Sequence, residues 1–176
     1  MIAAGAAGMR ESMPTKTTDL CDAHPELVRV ADPIFRSYGG LAVFDGTIAT
    51  LKLHEDNALV RRALEQPGAG RVLVIDGGGS MRRALVGDQL AALAAKNGWA
   101  GIVVYGCIRD SADIAAIELG VVALGTYPRK SDKRGHGVAG EPVTFAGVTF
   151  VPGHHAWVDH DGVVVAERRL EVAPSA

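Results

Sequence analysis

Apolar residues fall in short runs that end on glycine or on charged turns, and these runs alternate with stretches in which apolar positions recur at helical spacing. Val72 to Ile75, bounded by Arg71 and Asp76 and followed by Gly77, Gly78 and Gly79, predicts a buried strand with a tight exit. A helical pattern from about Gly87 to Asn97 follows. The same grammar repeats: Gly101 to Gly106 reads as a strand, Cys107 to Asp110 as its exit, and Asp110 to about Leu119 as a second helix. Val121 to Thr126 predicts a third strand, and Tyr127 to Gly140 a polar loop carrying Arg129, Lys130, Lys133, Arg134 and His136.

Upstream, Thr18 to Val30 predicts a short helix with Asp19 as its cap and Pro33 closing the segment beyond it. Leu41 to Leu53 holds two strand-like runs hinged at Asp45-Gly46, which predicts a hairpin. Asp56 and Asn57 start a helix over Ala58 to Gln66, and Pro67-Gly68 stops it. Downstream, four short strands (143–145, 148–151, 156–158 and 163–165) are separated by Gly147, Pro152-Gly153 and Asp161-Gly162, the punctuation of a β meander. Alternating strand and helix units enclosed by hairpins at both ends predict a mixed three-layer α/β fold rather than a regular doubly wound sheet.

The 176 residues, 48% hydrophobic and 22% charged, suit one ordinary globular domain. We expect residues 1 to about 16 to be a disordered tail, with Met13 a second candidate start, and 17 to 176 to form the domain. A net charge of -2 gives no reason to expect direct binding to nucleic acid. Cys21 and Cys107 lack metal-ligand spacing and suggest no disulfide framework, so a reducing cytoplasm is expected. The N-terminus has no basic segment followed by a sustained apolar one, and no run reaches membrane-spanning length.

Candidate chemistry lies where the two central strands end. Asp88, Arg109 and Asp110 place an acid, a cation and a second acid at neighbouring strand-to-helix turns, where ligand sites of open α/β sheets are found. A carboxylate there binds a hard divalent cation, and the adjacent guanidinium holds an oxyanion. A surface ion pair or a helix cap accounts for Arg109-Asp110 equally simply, and a capping aspartate for Asp88. The free amides and positive dipole end near Gly87-Asp88 favour an anionic ligand. Gly77 to Gly79 form neither a Walker A loop nor a full dinucleotide fingerprint. His154, His155 and His160 beside Asp159 and Asp161 read as a solvated turn, the Arg129 to Lys133 charges as a mobile loop or a contact for a second carboxylate, and Trp99 and Trp157 as packing residues.

Taken in order, Asp76-Gly-Gly-Gly-Ser80, Arg83-Ala-Leu-Val-Gly-Asp88, Gly106-Cys-Ile-Arg-Asp110, Gly125-Thr-Tyr-Pro-Arg-Lys-Ser131 and Asp161-Gly-Val-Val-Val165 resemble the RraA-like family. That family includes regulators of ribonuclease E activity and class II 4-hydroxy-4-methyl-2-oxoglutarate aldolases, and the resemblance spans roughly Thr18 to Glu171. It implies a swivelling β/β/α three-layer domain with a mixed central sheet, and a homotrimer with sites between subunits. It also implies divalent-metal cleavage of the named oxo acid to pyruvate, with oxaloacetate decarboxylation through the same pyruvate enolate.

On this chain the resemblance assigns Mg²⁺ or Mn²⁺ to Asp110, the C2 oxygen and enolate to Arg109, and to Asp88 a water on the metal that transfers a proton. The substrate carboxylate falls to the amides of Gly87, Asp88, Gln89 and Leu90. The Pro-Gly-Asp turn usual in the family is Pro152-Gly153-His154 here, and the acidic C-terminal extension of longer aldolases has no match. The resemblance carries an alternative: a non-catalytic regulator that binds ribonuclease E or an associated helicase through protein contacts.

Overall fold

The computed structural model describes residues 13–173. Most of the expected tail therefore lies outside the described residues. Helix α1 spans Thr17–Ala23 and stops well before Val30. The cause is Pro25, which biases His24 away from helical backbone (φ -135°). Asp19 sits in the first turn and Lys16 is the cap residue. Two short strands follow, β1 (Arg29–Val30) and β2 (Arg36–Ser37).

The predicted hairpin over residues 41–53 is instead one continuous strand, β3 (Phe44–Lys52). Its first half runs antiparallel to β11 (His155–Val158), and its second half runs parallel to β4 (Val72–Asp76). Gly46 marks the place where another backbone approaches, not a turn. A Cβ there would stand 2.2 Å from the Gly70 carbonyl oxygen, and glycine inside a strand often signals such an approach.

Helix α2 (Ala58–Leu64) leads into β4, then come β5 (Ala84–Val86), α3 (Asp88–Lys96), β6 (Gly101–Ile108), α4 (Ser111–Ile114) and β7 (Gly120–Thr126). Helix α4 is much shorter than its apolar spacing predicts. The Ile117 carbonyl accepts the Gly40 N–H, so the chain leaves the helix to join the 39–41 segment. Strand β8 (Val138–Ala139) lies within the predicted loop, and β9 (Val143–Phe145) pairs with β10 (Val148–Phe150) as a hairpin. The last strand is β12 (Val163–Ala166).

Strands β3, β4, β6 and β7 form the parallel centre of a mixed sheet ordered β1-β12-β11-β3-β4-β6-β7-β2, with β5 on β6 and β8 on β3. Side chains alternate across this centre, as strand geometry requires. Leu73, Ile75, Ile102, Val104, Val121 and Ala123 face a core with Val60 and Leu64 of α2, Leu90 and Ala91 of α3, and Ile114 of α4. Val72, Val74, Val103 and Val122 face the other way, against Val143, Phe145, Val148 and Phe150 of the hairpin. There the Phe145 ring stacks on Tyr105 at 4.7 Å and on Phe150 at 4.6 Å. The result is the β/β/α three-layer domain with a mixed central sheet.

Trp99 and Trp157 are buried, as their isolation in the sequence predicts. No helix among the described residues is long and apolar enough to cross a membrane.

Candidate active site at the ends of β5 and β6

Strand β5 had no counterpart in the hydrophobic pattern, yet it sets the geometry of the site. It runs parallel to the end of β6, with Ala84 opposite Cys107 and Val86 opposite Ile108, and Arg109 N–H donates to the Val86 carbonyl at 3.0 Å. The two exits, Gly87-Asp88 and Arg109-Asp110, are thereby held side by side. Gly87 is the cap residue of α3 and Asp88 its first residue. Asp88 Oδ1 accepts the Gln89 N–H at 2.8 Å, so the side chain serves the first turn of α3 without being its cap.

Asp110 takes left-handed backbone angles, φ 55° and ψ 40°. Aspartate tolerates that region better than most residues, at a cost of roughly 1 kcal/mol. The conformation turns its carboxylate back over α3. Oδ2 lies 3.5 Å from the Asp88 nitrogen and 3.6 Å from Arg109 Nε. A Cβ on Gly87 would come within 2.8 Å of the same oxygen, so only glycine leaves this approach open. The ion pair foreseen as the simple account of Arg109-Asp110 thus exists, but with side chains 40% and 38% exposed it faces solvent and not a core.

The residues that the resemblance assigns to the site, Gly87, Asp88, Gln89, Leu90, Arg109 and Asp110, border one cavity of about 380 Å³. That volume suits a small molecule. Asp88 N–H points at Asp110 and Gln89 N–H at Asp88, so in this arrangement a carboxylate of the chain itself stands at the helix end.

A divalent cation fits the donor chemistry as a partly hydrated ion. Among the described residues no three His, Cys, Asp or Glu side chains form a complete ligand set. Mg²⁺ is commonly held by one or two carboxylates, with water and substrate completing the shell. Asp110, with Asp88 close by, offers such a set.

Two features escaped the sequence reading. The polar segment after β7 is anchored at several points. Asp56, 3% exposed, accepts the N–H of Ala58, Arg134 and His136. Burial opposes its ionisation, but these backbone donors, with Gly135, outweigh that and hold its carboxyl below the usual value. Ser131 Oγ donates to the Ala84 carbonyl at 2.8 Å and fixes the segment to β5. The Asp-Asn pair before α2 could have signalled the first anchor; Ser131 gave no signal.

The second feature is His155. Read as part of a solvated turn, it is buried, and its Nε2 lies 2.7 Å from Asp45 Oδ2. This contact to His155, more than the nearby Arg169 charge, keeps the Asp45 carboxyl below its usual value. His154 lies on a different cavity from Asp110, and His155 and Asp159 serve packing and the N-terminal segment: Thr17 Oγ1 donates to Asp159 at 2.7 Å.

Residues 17–165 match the RraA-like family, described as Aldolase/RraA. The chain is 61% identical over 158 residues, 90% of its length and 99% of the relative's, to a protein of Aromatoleum aromaticum provisionally named 4-hydroxy-4-methyl-2-oxoglutarate aldolase. A solved structure from Geobacillus kaustophilus, described as an S-adenosylmethionine:2-dimethylmenaquinone methyltransferase, superposes with a TM-score of 0.88 at 48% identity, covering 92% of this chain and 100% of that one. The RNA-processing inhibitor RraA from Thermus thermophilis does so with a TM-score of 0.88 at 43% identity, covering 93% and 99%. Three activities are thus named on one fold, and function has to be argued from the site. By its three-layer architecture, its ordered motifs and this match over residues 17–165, the chain belongs to the RraA-like family.

Proposed function

We propose that the protein is a divalent-metal-dependent class II aldolase that cleaves 4-hydroxy-4-methyl-2-oxoglutarate, and that decarboxylates oxaloacetate through the same pyruvate enolate. The observation that carries this reading is the convergence of Arg109, Asp110 and the start of α3 on one cavity, with the guanidinium 3.6 Å from a carboxylate that faces solvent. The names of relatives about 60% identical support the aldolase part of it.

In the cleavage, the C4 hydroxyl loses its proton and the C3–C4 bond breaks. Its electron pair becomes the C2–C3 enolate of one pyruvate, while C4 becomes the carbonyl of the other; protonation at C3 completes the reaction. Arg109 holds the C2 oxygen and stabilises the charge that develops there, a contribution worth about 3 kcal/mol for a well-placed donor. The amides of Gly87, Asp88, Gln89 and Leu90 receive the neighbouring carboxylate at the positive end of α3. For this the Asp110 carboxylate swings off the Asp88 N–H and the Asp88 carboxylate off the Gln89 N–H. Asp88 orients a water for proton transfer. Asp110 holds Mg²⁺ or Mn²⁺, and the bound ion supplies Lewis-acid polarisation of the substrate oxygens.

Pyruvate release from 4-hydroxy-4-methyl-2-oxoglutarate, measured with Mg²⁺, with Mn²⁺ and with chelator, tests the reading. Metal-dependent release lost in Arg109→Ala is expected; release no faster than with the metal alone refutes it.

The match to the RNA-processing inhibitor supports a second reading, binding and inhibition of ribonuclease E or an associated helicase through protein contacts. Purified ribonuclease E with and without this protein decides it: a slower cleavage that persists in Asp110→Asn is expected if the two roles use different surfaces. The trimer that the family resemblance implies is checked by light scattering, where a mass near three times 18.3 kDa is expected.

A further inference from the structure

The cavity has a second charged wall that the oxo-acid end leaves unused. Ala58, Arg61, Arg62 and Glu65 follow one another at helical spacing along α2 and its end, so they share a face, and all four border the cavity. Val60 and Leu64, on the opposite side, are buried in the core. Lys130 and Lys133 border the same cavity from the segment after β7. Among the described residues, none of these four cations has a carboxylate oxygen within 4.0 Å.

Arginines in a last helical turn are favourable against the helix dipole, which alone accounts for Arg61 and Arg62. It does not account for the anchored lysines beside them. Their segment is tied by Asp56 to the Arg134 and His136 amides, by Ser131 to Ala84, and by the Asn57 N–H to the Asp132 carbonyl at 3.0 Å. The backbone on either side of Lys133 is therefore fixed. A run of charges whose only role is solvation needs no such fastening. Counting Arg109, five basic side chains border the cavity against Glu65, Asp88 and Asp110, so an anion is the complementary guest.

We infer that this wall is a second anion subsite, in which Arg61 and Arg62 receive the distal carboxylate of the oxo acid and set the preference for dicarboxylates over monocarboxylates. The inference rests on the oxo-acid reading above and adds the residues that recognise the distal end. Glu65, the acid on the same face, borders the same cavity.

The test is calorimetric titration of the full chain, in Mg²⁺, with 2-oxoglutarate and with 2-oxopentanoate, two acids of equal chain length that differ by a carboxylate in place of a methyl group. Wild type is expected to bind 2-oxoglutarate at least about tenfold more tightly, the factor one charge-assisted hydrogen bond supplies. Arg61→Ala/Arg62→Ala is expected to lose most of that preference while its 2-oxopentanoate affinity stays within about twofold, and Arg61→Lys/Arg62→Lys to keep part of it. Both arginines are exposed, so folding is expected to survive, and thermal melting of each variant checks this. Equal affinities in wild type, or a preference that survives in the double alanine variant, overturn the subsite alone. If neither acid binds, or if Arg109→Ala leaves 2-oxopentanoate affinity unchanged, the oxo-acid reading fails and the inference fails with it.

Discussion

Asp56 and Asp110 stand close to the same cavity and do opposite things. Asp56 is buried and saturated: backbone N–H groups from α2 and from the 134–136 segment take up its oxygens. Asp110 is over a third exposed, held by a strained backbone, and meets only a long contact to Asp88 N–H and a loose one to Arg109. A carboxylate whose lone pairs are already used holds a scaffold together. One held in place with its lone pairs largely unused is available to a ligand, and the cost of holding it there is carried by the scaffold. Acidity by itself does not distinguish them; saturation does.

Substitutions should separate the two along that line. Asp110→Asn keeps a side chain that tolerates left-handed angles but removes the charge. It is expected to melt at the wild-type temperature while pyruvate release falls by a factor of about 100 or more. Arg109→Ala is expected to behave similarly. Asp56→Ala should do the reverse, lowering unfolding free energy in urea by about 2–3 kcal/mol, because several buried N–H groups lose their acceptor. Its effect on turnover should follow the loosened Lys130–Lys133 segment, so KM is expected to rise more than kcat falls. An Asp56→Ala protein as stable as wild type removes the contrast.

Gly87→Ala is a finer probe. The added methyl would stand 2.8 Å from Asp110 Oδ2 and 3.5 Å from Arg109 Cγ, and so must displace the functional carboxylate. Turnover is expected to fall roughly tenfold, with a change in stability below about 1 kcal/mol, since the exposed side chains can give way. The smallest effect is on pH. The Asp56 carboxyl titrates below its ordinary 3.8 in the folded state, so the stability it contributes is complete above that value and is lost as pH falls through the lower folded one. Acid unfolding followed by circular dichroism should therefore be less steep in Asp56→Asn than in wild type below about pH 4.

The sequence made the centre of the fold legible because β4, β6 and β7 are continuous apolar runs closed by glycine or charge, and half of the site because Arg109 and Asp110 fall at the closure of β6; Asp88 instead follows β5, which the pattern does not show. What it hid was non-local. Gly46 looks like a turn, and only the approach of Gly70 from across the fold shows why glycine is there. Strand β5 is three residues long, too short for a period, and exists because β6 extends far enough to pair with it. The fastening of the basic segment depends on Asp56 and Ser131, which are 75 positions apart and come together because residues 55–57 pair with Asp132 and Ser131 reaches Ala84 of β5. His155 follows Pro152-Gly153-His154 and so looks like part of a turn, yet it opens β11 and its partner Asp45 is on another strand.

The most direct test of the account is exchange of the pyruvate methyl protons in deuterium oxide, followed by proton nuclear magnetic resonance with Mg²⁺ present. It reads enolate formation without depending on which oxo acid is the natural substrate. The account predicts exchange by wild type well above the rate with metal alone, absent from Asp110→Asn and Arg109→Ala. No exchange above that background, or exchange that survives both substitutions, contradicts it.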